Sequence, residues 1–203
     1  MANVNNPNGA SPIRTVDGSP WNQQANLYHI PSTDGSAYYV GDFVKSSANG
    51  DARGIPDVAK AASGNTLRGV IVGVFVVPPI GMGLSQVGTS LSLEITSVPA
   101  TKTRDYYVAV VDAPGTVFEI MDDGSAALTA TSCNKNANFT VAAPTSPQQQ
   151  SGTALTASTV ATTQAFSLKI MGLVQRPNNN YGVNARWQVL INQHELMGNT
   201  AGV

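Results

Sequence analysis

Two histidines, His29 and His194, are the residues best suited to act as a catalytic base near neutral pH. They lie on separate predicted strands, far apart in the sequence. Nucleophilic catalysis needs a base within hydrogen-bonding reach of the nucleophile, yet neither histidine is accompanied by a nucleophile-elbow motif or by a cysteine with protease-type flanking residues. The sequence therefore favours hydrogen-bonded structural roles for both histidines.

Paired carboxylates are the other possible source of catalysis. Asp112 and Glu119 flank a predicted turn, where they could approach each other as the acid and the nucleophile of a glycosidase must. An aspartate beside a turn more often accepts hydrogen bonds from nearby backbone amides, and a glutamate on the wet face of a strand is usually solvated. These structural roles are favoured, so we predict that the protein is not an enzyme.

Metal-binding groups are sparse. His194 and Glu195 are adjacent, but a site needs three or four convergent ligands. The aspartates of the 122–124 turn lack the carboxylate spacing of a calcium loop. The single cysteine, Cys133, excludes an internal disulfide and a cysteine-rich zinc site. We therefore predict neither a metal nor a cofactor.

The composition is poor in charge. Charged residues make up 11% of the chain, against roughly 25% in ordinary soluble domains. The 11 Lys and Arg residues are scattered along the sequence and are balanced by 12 Asp and Glu residues. A nucleic-acid partner needs a concentrated basic face, so none is predicted. A weakly charged surface suits a coat-like protein that must not repel its neighbours.

No targeting or membrane segment is predicted. The N-terminal sequence MANVNNPNGASP has neither a charged start nor an apolar run, so it does not read as a secretory signal. The longest apolar run, at residues 70–77, is far shorter than the ~18 residues of a membrane span. We therefore expect a protein that is soluble when made and has no membrane partner.

The candidate functional side chains named above must be positioned by short strands that are separated by turn-forming residues. The stretch 105–121 predicts two strands of a hairpin, with the rest of the chain packed around them. Residues 113–116 suit a type II turn, but its twist does not fit a tight two-residue hairpin, so a slightly longer loop that includes Asp112 is predicted. The first strand is apolar on both faces, as in a covered strand. The second has a mixed outer face of Val117, Glu119 and Met121, typical of a sheet with one wet side.

The remaining pattern predicts six further segments of structure. They are a hairpin of 26–30 with 37–44, a loop at 46–66 with a helical turn at 57–62, a central strand at 67–77, a strand within 90–98, a short helix at 126–132, and final strands at 165–174 and 185–196. In the final strands Phe166, Leu168, Ile170, Trp187, Val189 and Ile191 are predicted to face inward, with Ser167 and Lys169 outward. The pattern predicts an all-β protein.

One domain is expected, with a sandwich, jelly-roll-like or barrel architecture over residues 25–203. Residues 142–163 are rich in Pro, Gln, Ser and Thr, so they predict a long exposed loop. Residues 1–24 predict an extended N-terminal arm with little apolar surface of its own. Two interpretations of its Trp21 remain open, because the side chain can pin the arm to a partner or plug the end of a barrel.

Several short sequence motifs, taken in their order along the chain, resemble those of a known family. They are Asn8-Gly9 before Pro12 and Arg14, Gly18-Ser19-Pro20, the strand end at Tyr28, Ile30 and Pro31, the strand YVGDFV at 39–44, the stretch YYVAVVDAPGTVFEI, and the closing run GLVQRPNNNYGVNARWQVLINQHEL. The chain resembles the head decoration, or cement, proteins of short-tailed bacteriophages. The resemblance covers much of the chain and is weakest at 142–163.

The resemblance implies a structural virion protein that is made in the host cytoplasm and binds the outer capsid surface. It would act as a homodimer or homotrimer that cements major capsid protein subunits against the pressure of packaged DNA. The interface residues expected on this basis are Arg14, Trp21, Asn22 and Tyr28, since Arg and aromatic side chains are common interface anchors. Deleting the arm up to Pro20 is then expected to leave a folded protein that no longer binds heads.

The alternative is a carbohydrate-binding or adhesive β module on a virion or cell surface. Six tyrosines could supply flat faces on which sugars stack: Tyr28, Tyr38, Tyr39, Tyr106, Tyr107 and Tyr181. Most of them lie on predicted strands among other apolar residues, so packing in a core or between subunits is the favoured use.

Overall fold

The computed structural model describes residues 3–76, 95–144 and 150–197. These residues form an all-β protein, as the sequence predicts. The strands are β1 Ser11–Thr15, β2 Asn26–Ile30, β3 Tyr38–Tyr39, β4 Phe43–Gly50, β5 Pro56–Lys60, β6 Gly69–Phe75, β7 Ser97–Val98, β8 Tyr106–Val111, β9 Thr116–Met121, β10 Asn136–Ala137, β11 Phe139–Thr140, β12 Ala154–Leu155, β13 Leu168–Leu173 and β14 Arg186–Ile191. Three short 3₁₀ turns lie at Ala130–Ser132, Ala157–Thr159 and Glu195–Met197. Most of the strand predicted within 90–98 lies outside the described residues, and β7 is its described end.

Two sheets organise the chain. Strands β2, β5, β4, β6 and β8 close into a barrel, and a second sheet has the order β1-β9-β14-β13-β10. Within the barrel β2 and β5 are parallel, whereas all pairs of the second sheet are antiparallel. Closing a barrel removes open strand edges. The strand predicted at 67–77 is β6, which lies between β4 and β8 in the closed barrel.

Each sheet contributes to its own apolar core. The barrel interior is filled by a cluster that includes Ile30, Val44, Ile71 and Val108. A second cluster lies against the inner face of the five-stranded sheet, where Phe118, Ile120, Leu168, Ile170, Trp187, Val189 and Ile191 meet barrel residues such as Phe43, Leu67 and Val70. The inward orientation predicted for β13 and β14 is therefore confirmed at these positions. Ser167, predicted to face outward, is instead buried and donates a hydrogen bond to the Asn65 carbonyl (3.1 Å).

The two predicted hairpins do not form. β2 pairs with β8 and β5 rather than with the segment after it, and β8 pairs with β2 and β6 rather than with β9. The turn after β8 passes the chain from the barrel to the five-stranded sheet. Its Thr116 N–H donates to the Ala113 carbonyl at 3.0 Å, but Gly115 has no positive φ, so the turn is not type II.

The predicted loop at 46–66 is about half strand. β4 runs to Gly50 and forms an antiparallel pair with β5, with a bulge between Ser46 and Gly50. The Asp51 carboxylate closes the connecting turn by accepting N–H groups of Arg53 and Ile55, each at 2.8 Å. The predicted helical turn at 57–62 is wrong, because β5 finds partners on both sides that a local pattern does not show.

Two further predictions are wrong because contacts with distant residues override the local sequence pattern. The helix predicted at 126–132 is reduced to the 3₁₀ turn, since Leu128 exchanges backbone hydrogen bonds with Gly182. The stretch 142–163 is not an exposed loop throughout: Ser151, Thr153 and Leu155 are buried, and β12 pairs with β11. Contacts with residues far away in the sequence therefore order a stretch whose composition alone predicts no regular structure.

The N-terminal residues are built into this fold. β1 pairs with β9. After β1 the chain turns back on itself, and the Thr15 N–H donates to the Ser19 carbonyl at 2.8 Å in this turn. Gly9 and Gly41 cross at positive φ, and a Cβ on Gly9 would lie only 2.6 Å from the Gly41 carbonyl oxygen. Glycine is required at such a crossing. In the described part of residues 1–24, the expected extended arm is thus a folded edge strand of the second sheet.

Candidate functional site: an interaction surface

His29 is buried between acidic neighbours. Its Nδ1 lies 2.6 Å from Asp57 Oδ1, and its Nε2 lies 3.5 Å from Asp105 Oδ2. Its ring packs against Tyr107, with centroids 5.2 Å apart. The side chain therefore links β2, β5 and the start of β8. This geometry is the hydrogen-bonded structural role that the sequence favours.

His194 is buried near the C-terminal end of the described chain. Its Nδ1 accepts the Leu196 N–H at 3.0 Å, so this nitrogen carries no proton. Burial lowers the pKa of His194, because a desolvated imidazolium is disfavoured. The folded state therefore holds His194 neutral.

Acidification is expected to destabilise the protein through His194. The unfolded-state pKa lies near ~6.5 and the folded-state pKa lies lower, so the unfolded state binds the proton first as pH falls below ~6.5. The free energy of unfolding should then decrease by up to ~1.4 kcal/mol per pH unit until the folded-state pKa is reached. Thermal unfolding at pH 7.5 and 5.5 measures this effect. His194→Gln should show a smaller drop in Tm, and an equal drop in both proteins would contradict the role assigned to His194.

Asp112 and Glu119 do not form a catalytic pair. Asp112 accepts hydrogen bonds from Tyr28 Oη (2.5 Å) and Asn26 Nδ2 (2.8 Å) at the end of the barrel. Glu119 lies on the five-stranded sheet and accepts two hydrogen bonds from Arg176, at 2.9 and 2.6 Å. Burial, followed by the nearby Asp112 carboxylate, raises the pKa of the Tyr28 hydroxyl. Each carboxylate therefore has its own partners, and the glutamate predicted to be solvated is buried.

Two other carboxylates are buried at points where distant segments meet. Asp42 accepts hydrogen bonds from Ser151 and Thr153 and forms an ion pair with Lys60 at 3.0 Å. These bonds attach the stretch predicted to be a loop to the barrel. No sequence motif marks Asp42 for this role, because its partners lie 109 and 111 residues away.

Asp122 performs the same role for the five-stranded sheet. It accepts backbone N–H groups of Gly124, Asn184 and Ala185 and the Trp187 Nε1–H, at 2.7 to 3.1 Å. Burial raises the pKa of Asp122, and these hydrogen bonds act against that rise. Neither this turn nor any other group of three or more His, Cys, Asp or Glu residues in the described ranges could hold a metal ion.

The four predicted interface residues do not share one surface. Arg14 lies half-buried in β1 and donates to Gln188 Oε1 at 2.9 Å. Trp21 packs partly buried against the core of its own chain and donates to the Gln24 carbonyl, while Asn22 is exposed beside it. Tyr28 is only 3% exposed. Tyr28 therefore offers no contact surface in this protomer, whereas Trp21 and Asn22 line a cleft of about 170 Å³.

The outer face of the five-stranded sheet is the side turned away from the apolar core. Side chains alternate between the faces of a strand, so Glu119, Lys169, Arg186 and Gln188 lie on this face opposite their inward-facing neighbours. Arg14 joins them through its bond to Gln188. Val117, Glu119 and Met121, predicted to form a half-wet side of β9, are all buried.

Basic residues that are scattered in the sequence converge on this outer face. Arg14, Lys169, Arg176 and Arg186 lie on it or at its end, and Glu119 is the only acidic residue in the five strands. Within the five strands, three cations and one carboxylate give a formal charge of +2 in a chain of net charge −1, and Arg176 adds a fourth cation at the end of the face. The sequence analysis missed this cluster. The available signal was that three of the 11 basic residues fall between 169 and 186, around two strands predicted to face the same core.

A polar cleft of about 270 Å³ lies at the end of this face. Its walls include Asn6, Asn178, Arg176 and Arg186. Arg186 fixes the N-terminal segment here, because it donates to Asn8 Oδ1 (2.8 Å) and to the Asn6 carbonyl (3.0 Å). The Arg176 side chain remains 50% exposed. The cleft therefore extends the basic outer face.

Comparison with known proteins gives no relative from which a function can be transferred. No protein-family model, curated protein or solved structure matches the chain. In the described ranges, no helix has the length and apolar character needed to cross a membrane. The class of the protein is thus given by its fold, an all-β protein in which a closed barrel packs against a five-stranded sheet.

Proposed function

We propose that the protein is a capsid decoration protein, a structural component that binds the outer surface of a viral shell. It would act as a homodimer or homotrimer that cements major capsid protein subunits against internal DNA pressure. The sequence resemblance to head decoration proteins motivates this proposal. It implies assembly in the host cytoplasm and a final location on the virion.

One structural observation supports a role under sustained mechanical load. Four buried carboxylates each join segments that are far apart in the chain: Asp42, Asp112, Glu119 and Asp122. Each of the four has partners that lie between 57 and 111 residues away. Charge-assisted hydrogen bonds of this kind are stronger than neutral ones. Pulling one segment out of the fold must break them, so the cross-links suit a protein that resists outward force.

The test is co-sedimentation of the purified protein with expanded phage heads that lack a decoration protein. We expect saturable binding at one stoichiometry, since identical sites on a symmetric shell fill to a limit. Decorated heads should also survive heating or osmotic shock better than bare heads, because many weak contacts act together. Bovine serum albumin at equal concentration is the control for non-specific pelleting. Absence of binding, with unchanged head survival, would refute the proposal.

A further inference from the structure

We propose that the outer face of the five-stranded sheet is the docking face of the protein and that its partner is an acidic protein surface. This inference rests on the proposed function, which makes the partner a surface of the major capsid protein. It names the side of the molecule that touches the shell and the charge of the surface that receives it. It also replaces the predicted interface of Trp21, Asn22 and Tyr28 with a different set of residues, of which only Arg14 is shared.

The unused hydrogen-bonding capacity of the cations supports this assignment. A guanidinium has five N–H donors, and Arg176 commits two of them to Glu119 while half of its side chain stays exposed. Among the described residues, the Lys169 ammonium has no hydrogen-bond or ion-pair partner. The face thus presents donors that a carboxylate on a partner would satisfy.

The uneven distribution of charge over the molecule favours one docking orientation. The five strands of this face carry a formal charge of +2 within a chain of −1, so the rest of the sequence carries −3. An acidic partner surface would attract this face and repel the others, which steers association into one orientation.

The face fits a protein better than a nucleic acid. A protein that binds duplex DNA commonly neutralises about 6–10 phosphates, whereas this face has four cations, two of which already contact Glu119. Half-buried apolar side chains such as Met171 and Leu190 lie between the charged ones. A partly apolar patch with a charged rim is the anatomy of a protein interface.

The experiment compares two double variants that remove the same charge from different faces. Arg14→Gln with Lys169→Gln lowers the formal charge of the outer face by two and spares the Glu119 ion pairs. Arg53→Gln with Arg104→Gln neutralises two exposed cations outside the five-stranded sheet. Binding to bare heads is measured by co-sedimentation at about 50 mM and about 500 mM NaCl, since added salt screens exposed charges. Thermal unfolding checks that both variants are folded.

We expect the outer-face variant to bind about 5- to 10-fold more weakly at low salt, because small losses per contact multiply over a multivalent oligomer. The control variant should bind like the wild type, and high salt should weaken wild-type binding. Equal binding by the two variants, or wild-type binding that ignores salt, would overturn the docking face while leaving the decoration function intact. Failure of the wild type to bind heads would overturn both. Tight binding of a 30-base-pair DNA duplex that is lost in the outer-face variant would overturn the choice of a protein partner.

Discussion

Replacing Asp122 by alanine is expected to lower the free energy of unfolding by at least about 3 kcal/mol. The carboxylate follows β9 directly and accepts three backbone N–H groups and the Trp187 indole N–H. Without it these buried donors lose their acceptor, and each unsatisfied donor costs about 1–3 kcal/mol. For a chain of this size Tm should fall by about 6 °C or more, as measured by circular dichroism or calorimetry.

Two further variants separate the hydrogen bonds from the change in side-chain volume. Asp122→Asn keeps the shape but turns an N–H group toward donors, so it should also be strongly destabilising. Asp17→Ala removes a carboxylate that accepts hydrogen bonds from Thr15 and Ser19 in an exposed turn, and it should change Tm much less. A Tm for Asp122→Ala within about 2 °C of the wild type, the shift expected of a surface substitution, would contradict the structural role of Asp122.

Deleting residues 1–20 is expected to prevent stable folding. The deletion removes β1, whose five residues pair along β9, and removes Ala10 from the apolar core. It also exposes the edge of β9, in which four of six residues are apolar, and exposed strand edges pair with other chains. Soluble yield, size-exclusion chromatography and circular dichroism should report loss of the native monomer fold or aggregation.

Deleting only residues 1–7 is the matched control. It removes the hydrogen bonds of Asn3 and Asn6 at the polar cleft but leaves the glycine crossing and β1 in place. This shorter truncation should fold with a Tm close to that of the full chain. A soluble 21–203 fragment with a native Tm would show that β1 is dispensable. It would restore the sequence-based expectation of a detachable arm.

The amino-acid sequence by itself determined that this is an all-β protein and which side chains of its last strand enter the core. In β14, Trp187, Val189 and Ile191 are all buried and alternate with the less buried Arg186, Gln188 and Leu190. The pattern is readable because side chains on a strand point to opposite faces in turn. The bounds of β2 were predicted for the same reason. Burial of a residue within one strand is a local property, and a local pattern records it.

Only the tertiary structure decided which strands pair. The sequence predicts β8 and β9 as one hairpin, yet they belong to the barrel and to the five-stranded sheet. Pairing depends on contacts between residues far apart in the chain, which no short window contains. The same holds for the stretch 150–157, which is ordered by its bonds to Asp42 and by pairing with β11.

The candidate interaction surface shows this division most clearly. Lys169 is predicted to face outward from β13, and it does lie opposite the inward residues. Its place on the same face as Arg14 and Arg186 follows from the strand order β1-β9-β14-β13, which brings residues from both ends of the chain onto one face. The sequence therefore determined the direction in which each side chain points along its strand. The tertiary structure determined which charges become neighbours, because electrostatic interaction depends on distance in space and not on separation along the chain.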